Sequence, residues 1–260
     1  MIWEDLALLP AINLEGQTAL VTGGTRGLGL AVALCLAEAG ARVTVCGRTE
    51  PELLPSILSY VSADIRNPDA AREMVQSVAE ANGRFDILVN NAGGSPPCPA
   101  EEASPRFIDA ITKLNLLAPL YLAQAAYPYM ARQKSGSIVN IASVSGIRPS
   151  PGTAVYGAAK AGLLNLTQSL AQEWGKDKIR VNAIIVGLAK TETAEATYGD
   201  AAAQQAVADS LPLGRMCEGS DVAQAVAFLC SPLAAYISGA RLNVDGGGER
   251  PYFLDLIRGS

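Results

Sequence analysis

The chain has 260 residues, 49% hydrophobic and 17% charged, with a net charge of −5 and no histidine. Such a length and apolar share suffice for a large buried core and are usual for one α/β domain. The acidic balance excludes a global basic field for nucleic acid or an anionic membrane, and the missing imidazole excludes Ser-His-Asp triads, Cys-His pairs and histidine-dependent zinc sites.

In chain order, the first segment, MIWEDLALLPAINLEG, carries Glu4 and Asp5 and no basic residue, unlike a secretory signal. TALVT (18–22) predicts a strand, after which Gly23, Gly24, Gly27 and Gly29 turn the chain into a helical pattern over 27–39. The G-x3-G-x-G spacing differs from the general G-x-G-x-x-G dinucleotide fingerprint. Its place after the first strand still suits a backbone that meets a phosphate at a helix N-terminus. ARVTVC (41–46) predicts the second strand, whose end, Cys46-Gly47-Arg48-Thr49, lacks the carboxylate that would select NAD at the adenosine ribose. Arg48 and Arg26 could instead reach a 2′-phosphate, so NADP(H) is favoured, with NAD(H) as the alternative. The segment 47–60 holds two prolines and leaves little room for a crossover helix.

Strands follow at SYVSA (59–63), FDILVN (85–90), SGSIVNIA (135–142), IRVNAII (179–185) and ARLNV (240–244), separated by helical patterns over 68–82, 104–132, 152–175 and 219–230. The uncharged run Leu114 to Ala131 contains Asn115, Pro119, Gln124 and Pro128, which fit a buried helix at a subunit contact better than a bilayer span. Near-continuous apolar strands alternating with helices predict one α/β domain over 1–260: a doubly wound, seven-stranded parallel sheet with helices on both faces. The Ala-rich segment 188–216 follows a strand end and is a candidate substrate lid. Cys35, Cys46, Cys98, Cys217 and Cys230 are scattered without a CxxC pair, which predicts reduced thiols in a cytoplasmic protein and no metal site.

The run TAVYGAAKAGLLNL (153–166) places Tyr156 and Lys160 four apart, on one face of a helix. A phenol with a pKa of about 10 is a poor proton donor and acceptor at neutral pH. At roughly 4 Å and an effective dielectric of about 20, an ammonium favours phenolate by about 4 kcal/mol before desolvation. The expectation is a tyrosine whose pKa is lowered by its lysine, doing the work of a histidine.

These residues do not stand alone. TGGTRGLG (22–29), Asp64 after the third strand, NNAG (90–93), Asn115, Ser143 in NIASVSG, Tyr156 with Lys160, Asn182 in RVNA and LNVDGGG (242–248) follow in that order. With them the sequence resembles the short-chain dehydrogenase/reductase family over nearly its whole length. The resemblance implies a Rossmann fold and a catalytic set of Asn115, Ser143, Tyr156 and Lys160. Tyr156 would exchange a proton with the substrate oxygen and Ser143 would hold that oxygen. Lys160 would bind the nicotinamide ribose, and Asn115 would position a water linking Lys160 to solvent. It also implies pyrophosphate contacts at Gly23, Thr25, Gly27 and Leu28, adenine contacts at Asp64 and Ile65, ribose and nicotinamide contacts at Asn91, Ala92 and Gly93, and a carboxamide contact at Thr191. Asn91 could equally be a structural cap. A homotetramer or dimer is implied, with the helices of 104–132 and 152–175 at a contact. Where the family has Pro-Gly after the sixth strand, this chain has Val186-Gly187, which restores a backbone donor and frees φ.

The broad resemblance to 3-ketoacyl thioester reductases points to NADPH-dependent reduction of a 3-ketoacyl thioester or similar apolar ketone. Alternatives are NAD-dependent oxidation of a hydroxysteroid, sugar or polyol and, in another class, a non-catalytic NADP-binding sensor or scaffold. Retention of all four catalytic positions disfavours the last. Specificity is expected from GSPPCPAEEA (94–103), from Val144 to Thr153, and from Leu188, Ala189, Ala194, Ala196 and Tyr198 in the lid. Arg148, Lys190 and Arg215 are either anion contacts or plain solvated side chains. The C-terminal extension ERPYFLDLIRGS (249–260), with Tyr252, Phe253, Leu254, Leu256 and Ile257, is expected to pack on a neighbouring subunit.

Overall fold

Strand β1 (Thr18–Thr22), helix α1 (Gly27–Glu38) and strand β2 (Arg42–Gly47) form the first parallel crossover of the computed structural model, which describes residues 12–192 and 194–251. All five residues of β1 are buried, because helices cover both faces of the sheet around it. The prolines at 51 and 55 keep the chain irregular until β3 (Leu58–Ser62), so β2 and β3 pair in parallel without a helix between them.

Helix α2 (Pro68–Asn82) has clear ends. The Asn67 side chain accepts from the N–H groups of Asp69 and Ala70, Pro68 fills the first turn, and Gly83 closes the helix at φ 70°. Strands β4 (Ile87–Asn90), β5 (Gly136–Ser143), β6 (Ile179–Val186) and β7 (Arg241–Val244) complete a parallel sheet of order β3-β2-β1-β4-β5-β6-β7. This is the doubly wound Rossmann arrangement. Helices α1 and α8 (Gly219–Cys230) pack on one face, and α2, α4 (Ala118–Gln133) and α5 (Ala154–Trp174) pack on the other. Leu20, Leu36, Phe85, Leu122 and Ile138 are fully buried between these layers. Each such side chain contributes about 1.5 to 3 kcal/mol relative to exposure.

The helical pattern over 104–132 is not one helix. α3 (Pro105–Thr112) and α4 are joined by a π-helical turn, Lys113–Leu117, in which the Ala118 N–H reaches the Lys113 carbonyl five residues back. The candidate lid carries α6 (Ala194–Tyr198) and α7 (Ala201–Ser210). Among the described residues no helix is long and apolar enough to cross a membrane. All five cysteines are free thiols. The N-terminal segment with Glu4 and Asp5 and the apolar tail from Tyr252 onward lie outside the described residues.

The strand order changes direction at β1, whose neighbours are β2 and β4. Val21 is level with Val89, so the glycine turn after β1 and Asn91 after β4 open side by side at the switch point. That crevice is where open α/β sheets bind ligands.

Candidate active site

Ser143 ends β5, and its hydroxyl accepts the Ser145 N–H at 3.2 Å, capping the short turn Val144–Gly146. The same hydroxyl faces the Tyr156 phenol, which α5 presents in its first turn. Desolvation by burial raises the Tyr156 pKa, and the Ser143 hydroxyl, close enough to lower it, opposes that rise. Lys160, one turn further, is 3% exposed and donates from Nζ to the Ile141 carbonyl at 2.7 Å. Burial pulls its pKa down to about 8.

The lowered tyrosine expected from the pair is therefore not found. Lys160 Nζ lies 5.6 Å from the Tyr156 ring centroid and is spent on a backbone carbonyl, so desolvation decides the direction for both groups.

Asn115 sits at 0% exposure in the π turn. Its Nδ2 donates to the carbonyls of Ile111 at 2.9 Å and Gly94 at 3.0 Å, and its Oδ1 accepts the Gly94 N–H at 2.9 Å. Gly93 lies between Asn115 and Lys160. A Cβ there would stand 2.7 Å from Asn115 Oδ1 and 3.1 Å from Lys160 Nζ, so the close approach needs glycine. The structure thus gathers Asn115, Ser143, Tyr156 and Lys160 around the C-terminal ends of β4 and β5.

At the neighbouring glycine turn, Thr22 Oγ1 accepts the N–H groups of Asn91 and Ala92, each at 3.0 Å, while Asn91 Nδ2 donates to the carbonyls of Thr22 and Gly23. Asn91 is thus a structural brace holding β4 to the turn. A Cβ on Gly29 would lie 2.2 Å from the Gly23 carbonyl oxygen, so helix α1 can pack against the turn only with glycine there. Thr25 is half-buried beside Gly47, and Leu28 packs into the core under α1. Arg26 and Arg48 are exposed at the open side, and among the described residues neither guanidinium is in an ion pair. Ile65 is 6% exposed. Asp64 is clamped by Arg66, whose Nη2 donates at 2.6 Å, and that hydrogen bond holds its carboxyl below the usual range. Thr191 is half-buried at the start of the candidate lid.

Two features escaped the sequence reading. Glu192 Oε1 accepts the Gly27 N–H at 2.8 Å, across 165 residues. The signal was faint: an acid next to Thr191, and a helix α1 with no acidic residue of its own in its first turn. Beneath the site, Asn90 donates to Asn140 at 2.8 Å, Asn140 to Thr167 at 2.9 Å, and Thr167 to the Leu163 carbonyl. Asparagines inside otherwise apolar strands were the visible sign. Asn182, by contrast, ties β6 to the segment before β7 through Ile237 and Ala240.

At the outer rim, Arg148 ion-pairs with Glu249 and Arg215 with Asp221, the latter through two hydrogen bonds of 2.6 and 2.7 Å. Of the three candidate anion contacts, only Lys190 is exposed without such a pair among the described residues. Ala208, Leu211 and Met216 pack with Leu188, Tyr198 and Val207 into a small apolar cluster on the lid. Burial raises the Tyr198 phenol's pKa, and the charges of Glu249 and Arg148 are both felt there.

Residues 23–249 match the family model described as enoyl-(acyl carrier protein) reductase. A tropinone reductase homolog of Arabidopsis thaliana is 37% identical over 91% of this chain and 92% of its own. The 3-oxoacyl-(acyl-carrier-protein) reductase FabG of Thermotoga maritima is 34% identical over 91% of this chain and 99% of its own. A crystal structure from Sinorhizobium meliloti 1021, assigned as a short-chain alcohol dehydrogenase, superposes with a TM-score of 0.86 at 38% identity, covering 92% of this chain and 98% of that one.

Proposed function

The chain belongs to the short-chain dehydrogenase/reductase family of oxidoreductases, which bind nicotinamide cofactors, and from that premise we propose that it reduces a neutral, largely apolar ketone with NADPH. The observation that carries this reading is the cluster of Ser143, Tyr156, Lys160 and Asn115 around Gly93, with the Tyr156 phenol held protonated by burial.

The residues fit a dinucleotide. Gly29 lets α1 pack directly on the glycine turn, Gly93 lets its turn lie against Asn115 and Lys160, and α1 starts with no side-chain cap at Arg26, so its partial positive end favours an anion. Gly23, Thr25, Gly27 and Leu28 would hold the pyrophosphate, with Asp64 and Ile65 at the adenine. Asn91, Ala92 and Gly93 would lie along the ribose, and Thr191 at the carboxamide. Arg48, exposed where an NAD-selecting carboxylate would stand, and Arg26, exposed in the glycine turn, support the 2′-phosphate and hence NADPH. The nicotinamide supplies the hydride.

Tyr156 donates its phenolic proton to the ketone oxygen, and the Ser143 hydroxyl holds that oxygen within reach. Lys160, still charged at neutral pH with a pKa of about 8, would bind the ribose and return a proton toward Tyr156. Asn115 fixes the 93–94 turn beside Lys160, where it would position a water joining the lysine to solvent.

Two rim arginines neutralised by Glu249 and Asp221, together with the apolar lid cluster, support an uncharged substrate, either a free ketone or the ketone end of a 3-ketoacyl thioester. Exposed apolar side chains at Tyr236 and, on edge strand β7, at Leu242 support a homo-oligomer, and five free thiols suit the cytoplasm.

Initial rates with NADPH and NADH test the reading, using ethyl acetoacetate, acetoacetate and acetoacetyl-CoA as oxidants. The expected result is turnover of the neutral ester with a preference of about tenfold for NADPH, since one lost charge-assisted pair is worth about that much. Preference for NADH, or for anionic acetoacetate over its ester, overturns the cofactor or the substrate half respectively.

A further inference from the structure

Helix α1 starts with an unusual need. Its N-cap, Arg26, makes no side-chain capping bond, and its first turn holds no acid. Orphan N–H groups at a helix start are satisfied by a cap, by water or by an anion. Here the acceptor comes from 165 residues further along the chain, as Glu192 Oε1 takes the Gly27 N–H at 2.8 Å. The fit is tight, for a Cβ on Gly27 would stand 2.9 Å from Glu192 Oε2. The carboxylate lies where an anion is best stabilised, at the positive end of the helix.

We propose that Glu192 is a built-in competitor for the cofactor's pyrophosphate and so sets cofactor affinity. This rests on the reading above, in which the N–H groups at Gly27 and Leu28 receive that pyrophosphate. One N–H cannot serve both anions well, and two negative groups do not share one helix end without repulsion. Nucleotide binding therefore displaces the Glu192 carboxylate into solvent, which is accessible because the residue is exposed. Glu192 directly follows Thr191 and opens onto α6, so the displacement also unpins the first turn of the lid from the glycine turn. Cofactor arrival and lid mobility become one event.

Calorimetric titration of the nucleotide-stripped protein with NADPH tests this in wild type, Glu192→Gln and Glu192→Asp. Glutamine removes the charge. Aspartate keeps it but is one methylene shorter, about 1.5 Å by bond geometry, so it falls short of Gly27. Competition for the seat predicts that both variants bind NADPH about fivefold more tightly than wild type. If aspartate behaves as wild type while glutamine tightens, plain charge repulsion is the cause and the competitor is overturned. Unchanged or weaker binding in both variants also overturns it, weaker binding making Glu192 a cofactor ligand. If none of the three binds NADPH or NADH, the nicotinamide reading itself fails, and the competitor with it.

Discussion

Burial moves the two titratable groups of the site toward their neutral forms, raising the Tyr156 phenol and lowering the Lys160 ammonium to about 8. A protonated phenol is the form that ketone reduction uses, so reduction should hold at neutral pH. Alcohol oxidation, which needs phenolate, should accelerate as pH rises. Rate profiles in both directions check this, and an oxidation rate that is flat or falling above neutrality contradicts it. The lysine also carries a stability consequence. A base whose folded pKa is depressed binds fewer protons folded than unfolded, so its penalty is full below about pH 8 and is relieved as pH climbs toward the ordinary value of 10.5. Between pH 7 and pH 10, wild type should therefore gain about 2 to 3 kcal/mol of unfolding free energy relative to Lys160→Met. Parallel pH dependences in urea melts would contradict that. At this scale the pairing of Tyr156 with Lys160 on one helix face was legible from their spacing, while Ser143 and Asn115 entered through the family resemblance. The direction of the tyrosine shift was not, because it depends on the Ile141 carbonyl that claims the lysine and on how deeply α5 is covered.

At the scale of elements, the strands and most helices follow from apolar runs and their breakers. Pro51 and Pro55 foretell the helix-free link to β3, and Asn67-Pro68 foretells the start of α2. The π turn at Lys113–Leu117 was hidden, since apolar residues continue through it and the shift depends on Asn115 seizing the Ile111 carbonyl. The Glu192 contact was equally hidden, as nothing in a local pattern links positions 165 apart. The glycine turn yields a sharp prediction. Gly29→Ala forces a Cβ against the Gly23 carbonyl at 2.2 Å, so it should cost about 1 to 3 kcal/mol and weaken NADPH binding at least tenfold. Gly175→Ala, where nothing lies within 4 Å of the new Cβ, should stay within about 0.5 kcal/mol of wild type. Equal melting points for wild type and Gly29→Ala would refute the packing argument.

For the molecule as a whole, the parallel sheet was legible because its five inner strands, β2, β1, β4, β5 and β6, are buried almost end to end and so read as near-continuous apolar runs. The rim was not, since Arg148 meets Glu249 across 101 residues and only the assembled sheet brings them together. The outer edge of the sheet, β7, leaves Leu242 exposed, so Leu242→Glu should lower the assembly mass seen by light scattering. A wild type that scatters as a single 27.0 kDa chain would contradict the proposed oligomer. The central claim is that Tyr156 delivers the proton while the rest of the chain holds the cofactor and the ketone. The most direct test follows NADPH consumption with ethyl acetoacetate in wild type and Tyr156→Phe, with NADPH affinity measured on both. Affinity should be unchanged, and turnover should fall by about 10²- to 10⁴-fold in the variant. Turnover that survives the loss of the phenol would contradict it.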